Sequence, residues 1–225
     1  MKRLLKMLMI PVLLFFISCN SGNDKTAITP TIPAASFKIL MVEHPVADFE
    51  VWKTSYFVHD SIRQAYGLSH LSLGVGADDP TMVLVVNKIE DVAKAKAFTQ
   101  LPELKEAMDK AGVTGMPTFM YIDVVRNDSS QTESKDRMMI AHRVKDFDVW
   151  LKAYDTEGME TRKGFGIIDR GIGRSTDDPN MVYILFAISD MEKAKARSGS
   201  GELKKIMTDA GVEGPPQILY FKVAD

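Results

Sequence analysis

The chain has a single cysteine, Cys19, among 225 residues. No intrachain disulfide can form, whatever the redox compartment. Histidines number four, and none stands in a Cys/His cluster at metal-ligand spacing, so no metal site is expected. A phosphate-cradling glycine loop and a nucleophile elbow are both missing. Charge of one sign is not concentrated either. The formal net charge is -2, and with Lys2, Arg3 and Lys6 set aside 25 basic residues face 30 acidic ones. A nucleic-acid partner is not expected, because phosphate binding needs a basic patch. Long hydrophobic runs are absent too: the longest, residues 7–17, falls short of the roughly 20 residues that span a bilayer.

That short run has a different use. It follows Lys2, Arg3 and Lys6 and precedes "FISC", ending at Cys19, which is the layout of a signal-peptide core. The ending resembles a bacterial lipobox, in which the cysteine is lipidated, by palmitate-type acyl chains among others, and becomes the new N-terminus. The expectation is a lipoprotein of the bacterial cell envelope, periplasmic or surface-facing, with residues 1–19 as signal peptide. Residues 20–35 are polar and dotted with proline and read as a tether.

Beyond the tether the chain says one thing twice. "HPVADFEVW" at His44 returns as "HRVKDFDVW" at His142. Trp52 and Trp150 are 98 positions apart, whereas Asp79-Pro80 and Asp178-Pro179, and Ala111 and Ala210, are 99 apart. One residue has been inserted in the second copy. Two long copies make a duplicated domain rather than a solenoid: residues 36–125 and 138–225, joined by a polar linker at 126–137. Each copy gives short apolar strands around two amphipathic helices. Asp48 and Asp146 stand at N-cap positions, Gly67 and Gly166 close the first helices, Asp-Asp-Pro marks a hairpin, and Ser189 with Glu192 has capping-box spacing. The order β-α-β-β-α-β is ferredoxin-like. Its strands are apolar on both faces ("MVLVV", "MVYILF"), so the bare sheet faces are expected to cover one another within the chain.

The string Asp48-Phe49, Trp52, His59, Arg63, Gly67, Asp79-Pro80 and Ala111-Gly112-Val113 resembles the dimeric α/β-barrel superfamily, in its antibiotic-biosynthesis-monooxygenase-like branch. The resemblance spans both repeats. It implies an α+β fold in which the two repeats form internally the barrel such proteins make as homodimers, and hence a monomer. It also implies monooxygenase-like or isomerase-like chemistry if the chain is an enzyme. No cofactor is expected; the resemblance admits haem on His59 as an alternative.

On a helix over residues 49–66, Phe49, Trp52, Tyr56, His59 and Arg63 share one stripe. Val51, Val58, Ile62 and Ala65 form the adjoining one. Two readings follow. Trp52 and Tyr56 are core aromatics, His59 is a satisfied core histidine and Arg63 snorkels outward. Otherwise Trp52 and Tyr56 line a pocket for a small apolar or aromatic molecule, with His59 as acid/base or orienting group and Arg63 holding an anion. Phe147, Trp150 and Tyr154 keep the stripe, but Glu157 replaces His59, and Arg162 returns to the stripe only if the helix breaks at Gly158. His44 and His142, present in both copies, bond the strand-to-helix turn or border a ligand alongside Trp52 and Trp150. His70, matched by Asp169, reads as a surface residue. The competing function is a non-catalytic envelope scaffold with a filled core.

Overall fold

The structure, a computed structural model, describes residues 32–224. The expected signal peptide, Cys19 and most of the expected tether lie outside those residues. The first repeat runs β1 (Ala34–Pro45), α1 (Phe49–Val58), α2 (Asp60–Ala65), β2 (Leu68–Gly76), β3 (Met82–Ile89), α3 (Val92–Thr99), α4 (Pro102–Lys110) and β4 (Thr118–Asn127). The second follows the same order as β5 (Asp136–Val144), α5 (Phe147–Glu157), α6 (Met159–Gly164), β6 (Ile167–Ser175), β7 (Met181–Ile188), α7 (Met191–Ser198), α8 (Gly201–Asp209) and β8 (Val212–Val223). No described helix is long and apolar enough to cross a membrane.

The eight strands close into one antiparallel barrel in the order β1-β3-β2-β8-β5-β7-β6-β4. Each repeat supplies a ferredoxin-like four-stranded sheet, and the pairings β2–β8 and β4–β6 join the two. This is the expected tandem ferredoxin-like barrel. Strand alternation builds it. In β1, Ile39 and Met41 point into the barrel with Leu84, Ile122, Val124, Met139 and Phe221, whereas Leu40 and Val42 point out to the helices. The barrel interior is thus a filled apolar core, and each outer face has its own helix-covered core.

The seams need glycine. A Cβ on Gly173 would stand 2.4 Å from Ile122 Cγ2 and 3.1 Å from the Asp123 carbonyl oxygen. Its counterpart Gly74 would meet Phe221 Cδ2 at 2.5 Å, so each repeat pushes an apolar side chain against a bare backbone in the other. Gly173→Val is expected to destabilise the barrel by about 2–3 kcal/mol through overpacking, read as a lower melting temperature by differential scanning calorimetry.

Several local expectations are revised. The helix over 49–66 is two helices, α1 and α2, meeting at His59, whose φ of -92° and ψ of 17° interrupt the run. The adjoining stripe is largely exposed, with Val51, Val58 and Ile62 open to solvent. The cap of α7 is Asp190, which accepts from Lys193 N, while Ser189 Oγ donates to the Gly166 carbonyl. The end of the expected tether is part of the fold: Ala34 pairs with Arg126, and Ile32 is buried in the second repeat's core. The linker is shorter at both ends, since β4 reaches Asn127 and β5 begins at Asp136. Asp128 within it pairs with Arg170, and Ser134 Oγ donates to the Ile188 carbonyl.

Candidate functional site

Asp48 and Asp146 cap α1 and α5 by accepting from Val51 N and Val149 N at 2.9 Å. The helices that follow carry the same ladder of side chains across the sheet. Phe49 stacks on Trp52 (6.1 Å), Trp52 on Tyr56 (5.2 Å), and the Arg63 guanidinium lies 3.6 Å over Tyr56. The second copy has Phe147, Trp150, Tyr154 and Arg162 in that order, with Arg162 3.8 Å over Tyr154. Arg162 regains the stripe because Gly158, at φ 82°, breaks the helix and absorbs the inserted residue. Arg63 is only 5% exposed and does not snorkel. Each arginine also donates to a helix carbonyl, Arg63 to Tyr56 O at 2.6 Å and Arg162 to Tyr154 O at 2.9 Å. The repeated ladder is therefore architecture: a cation on an aromatic face closes the last turn.

His44 and His142 belong to that architecture. Each meets its tryptophan edge-on, at 5.2 and 5.6 Å. The expected bonding to the turn is not general, since neither nitrogen of His142 has a partner, and His44 Nδ1 has none. Burial pushes both imidazoles down to about 4, opposed in His44 by a hydrogen bond with the Pro45 backbone. A folded pKa below the unfolded value means the unfolded chain binds the extra proton. Stability from these groups is complete above the unfolded pKa of about 6.5 and is lost as pH falls from there toward 4. Each histidine can contribute a slope of at most about 1.4 kcal/mol per pH unit. Urea midpoints taken across that window should fall with acidification, and His142→Phe should flatten the curve.

What differs between the repeats is the space beneath the ladder. In the first, α1, α2, α4 and the sheet enclose a cavity of about 340 Å³. The matching space in the second is about 80 Å³. Side-chain size accounts for this. Val42, Val85, Asn87 and Ala107 line the first cavity where Ile140, Ile184, Phe186 and Ile206 line the second. At every one of these positions the first repeat has the smaller residue. Trp52, Tyr56, His59, Arg63 and His44 all border the large cavity, so the candidate residues of the first repeat are brought together. His142 and Trp150 border only the small one.

The polar groups of the two sites differ as well. His59 Nδ1 lies 2.8 Å from the Ser55 carbonyl oxygen. That nitrogen carries the proton, and Nε2 keeps its lone pair. Tyr56 OH donates to Asn87 Oδ1 at 3.0 Å. A phenol has one proton to give, so the 3.1 Å contact with His70 Nδ1 is a bond the imidazole donates. His70 is therefore not a surface residue: β2–β3 register sets it opposite Asn87, beneath α1 and edge-on to Phe57. In the second repeat Asp169 holds Arg162 through two bonds, at 2.8 and 2.6 Å. Glu157 bridges Arg162 (3.3 Å) and Arg197 (2.9 Å), and Arg197 also reaches Glu202 at 3.0 Å. Burial alone would lower the Arg162 pKa, but the bonds and charge of Asp169, with Tyr154 and Glu157, hold it above the ordinary guanidinium value. The second repeat is thus filled by aliphatic bulk and closed by buried ion pairs. Asn87 and Ala107 escaped a reading based on chemical types. The signal that would have found them is the size difference between aligned copies.

Among the described residues, no group of three or more His, Cys, Asp or Glu is placed to hold a metal ion. His59 meets one requirement of an axial haem ligand, a second nitrogen held by a carbonyl.

No family model and no curated protein matches the chain. Solved structures do. A monooxygenase candidate from Fusobacterium nucleatum subsp. nucleatum is similar with a TM-score of 0.52 at 14% identity, over 84% of this chain and 94% of that one. An anthrone oxidase-like protein reaches 0.58 at 11% identity, over 87% and 95%. A chlorite dismutase candidate reaches 0.55 at 10% identity, over 85% and 96%. At such identities the likeness establishes the fold.

Proposed function

We propose, starting from the fold of the dimeric α/β-barrel superfamily that this chain has, that its first repeat binds a small apolar or aromatic molecule between α1–α2 and the sheet. The observation that carries the reading is the cavity of about 340 Å³, within the roughly 300–1,000 Å³ of ligand pockets, set against a filled counterpart in the same chain. Its walls are aromatic and aliphatic, with a few polar groups converging: His59 Nε2 as acceptor, Arg63 as cation, Ser55 and Asn87. Such a site orients an apolar ligand by one polar end. Where a reaction follows, His59 is the group suited to take a proton from the ligand, because Ser55 O holds its tautomer. The rival scaffold reading needs a filled helix–sheet core, and a cavity of this size in the first repeat counts against it.

Titration of the purified protein with 2-naphthamide, a neutral bicyclic probe, tests the site. Saturable binding of one molecule per chain is expected; no binding would defeat the reading. Haem is a second reading, favoured only by the way Ser55 O holds His59. His59 would be its ligand and the group would supply redox chemistry. A Soret band that stays that of free haem when haem is added to the purified protein would remove it.

We also place the protein on the bacterial envelope, anchored by acyl chains on Cys19; the sequence ahead of residue 32 supports this. Closure of the barrel within one chain, which pairs every described strand on both edges, supports a monomer. Intact and native mass spectrometry read both properties: an acylated Cys19 and a monomeric mass are expected. An unmodified Cys19 or a stable dimer would contradict the respective statement.

A further inference from the structure

Arg63 and Arg162 hold the same place in two copies of one unit, yet Arg162 is paired with two largely buried carboxylates and Arg63 with a single, more exposed one. Two acids neutralise Arg162: Asp169 from the strand below and Glu157 from the cavity wall. At the aligned positions the first repeat has His70 and His59. Arg63 keeps one acid, Asp60, whose side chain is 36% exposed and also accepts from Gln64 Nε2. Arg63 Nε has no partner at all and is closed to solvent. A buried guanidinium that borders a low-dielectric cavity and has one half-exposed acid is expensive unless a further acceptor arrives. The copy without a wall carboxylate is the copy with the space to admit one.

We propose that the ligand of the first-repeat cavity carries a carboxylate or comparable oxyanion, seated at Arg63 where Glu157 sits at Arg162. The inference rests on that cavity being a ligand site. His59 occupies the wall position Glu157 holds, so the oxyanion lies on the imidazole side of the cavity. The other polar groups fit this orientation. His44 and Asn87 are on the sheet side and Ser55 on α1, none of them charged in the neutral range. Glu103, Glu106 and Lys110 line the mouth from the exposed surface of α4, with Lys110 paired to Glu106 at 3.8 Å. Two carboxylates at the rim disfavour an anion there, so the charged end points inward.

The test compares 2-naphthoate with 2-naphthamide, which has nearly the same shape and no charge, on the full chain at neutral pH. Naphthoate should bind roughly 10- to 100-fold more tightly, the range of a charge-assisted hydrogen bond partly offset by desolvation. His59→Glu restores to the first repeat the carboxylate of the second and should remove the preference. Arg63→Gln should do the same, provided its melting curve shows it folded; His59→Glu carries the test if it is not. Lys110→Gln should leave the preference intact. Equal affinities in the wild type, a preference that survives His59→Glu, or one that vanishes in Lys110→Gln would overturn the proposal and leave the cavity as a neutral-ligand site. Failure of both probes to bind would defeat the cavity reading itself, and this one with it.

Discussion

Replacing Ala107 with isoleucine should abolish ligand binding at the first repeat and leave the fold intact. Ala107 sits on α4 and contributes to the wall of the 340 Å³ cavity. The aligned residue in the second repeat is Ile206, on the wall of a cavity of about 80 Å³. Its neighbours are nearly identical in the two copies, Leu104 and Met108 against Leu203 and Met207. The fold has therefore already accepted isoleucine at this place in this setting. Added carbons enter existing space rather than packed side chains, so the overpacking penalty of a full core does not apply. Filling a cavity of this kind commonly adds about 0.5–2 kcal/mol of stability. The expected result is loss of 2-naphthamide binding by a factor of at least about 100 together with an unchanged or higher melting temperature. A ligand occupying a site other than the cavity would leave affinity untouched. The reverse substitution, Ile206→Ala, should cost about 1–2 kcal/mol, because it enlarges the small cavity around a half-buried side chain.

Asp169→Ala should be among the most destabilising single substitutions on the surface of either sheet. Asp169 is 1% exposed and gives both carboxylate oxygens to Arg162, itself 6% exposed. Removing one partner of a buried pair strands the other charge, which costs about 3–5 kcal/mol. For a chain of this size each kcal/mol lowers the melting temperature by about 2–4 °C, so a fall of roughly 6–20 °C is expected in calorimetry. Adding Arg162→Met should recover part of the loss, since a well-packed apolar side chain removes the stranded charge. His70→Ala, at the aligned position of the first repeat, should cost far less, because Arg63 takes its acid from Asp60 and not from residue 70. Equal losses at residues 169 and 70 would mean that the two repeats are not divided into a closed copy and an open one.

The barrel was legible because its causes are periodic. Alternation in "FKILM" sends Ile39 and Met41 one way and Leu40 another, and the two repeat offsets place the inserted residue near Gly158, where the chain has a glycine to absorb it. The break at His59 was not legible, because Val58-His59-Asp60 contains neither glycine nor proline; tertiary packing of Arg63 under Tyr56 imposes it. Val58 and Ile62, beside the break, are open to solvent. The arginine's place was half legible: its spacing from Tyr56 set the stripe, but whether it was exposed or buried depended on a stacking partner that spacing alone does not reveal. The cavity was the hardest feature to read. It is made by small differences at Val42, Val85, Asn87 and Ala107, none of which is chemically conspicuous, and only their sum against the second copy opens space.

The most direct test of the account is a crystal structure of the protein with 2-naphthoate bound. The account predicts ring density between α1 and the first-repeat sheet, in contact with Trp52, Tyr56 and Ala107, with the carboxylate at Arg63 and nothing in the second repeat. Density on the exposed Val58–Ile62 surface, or at the second repeat, with the first-repeat cavity empty would contradict it.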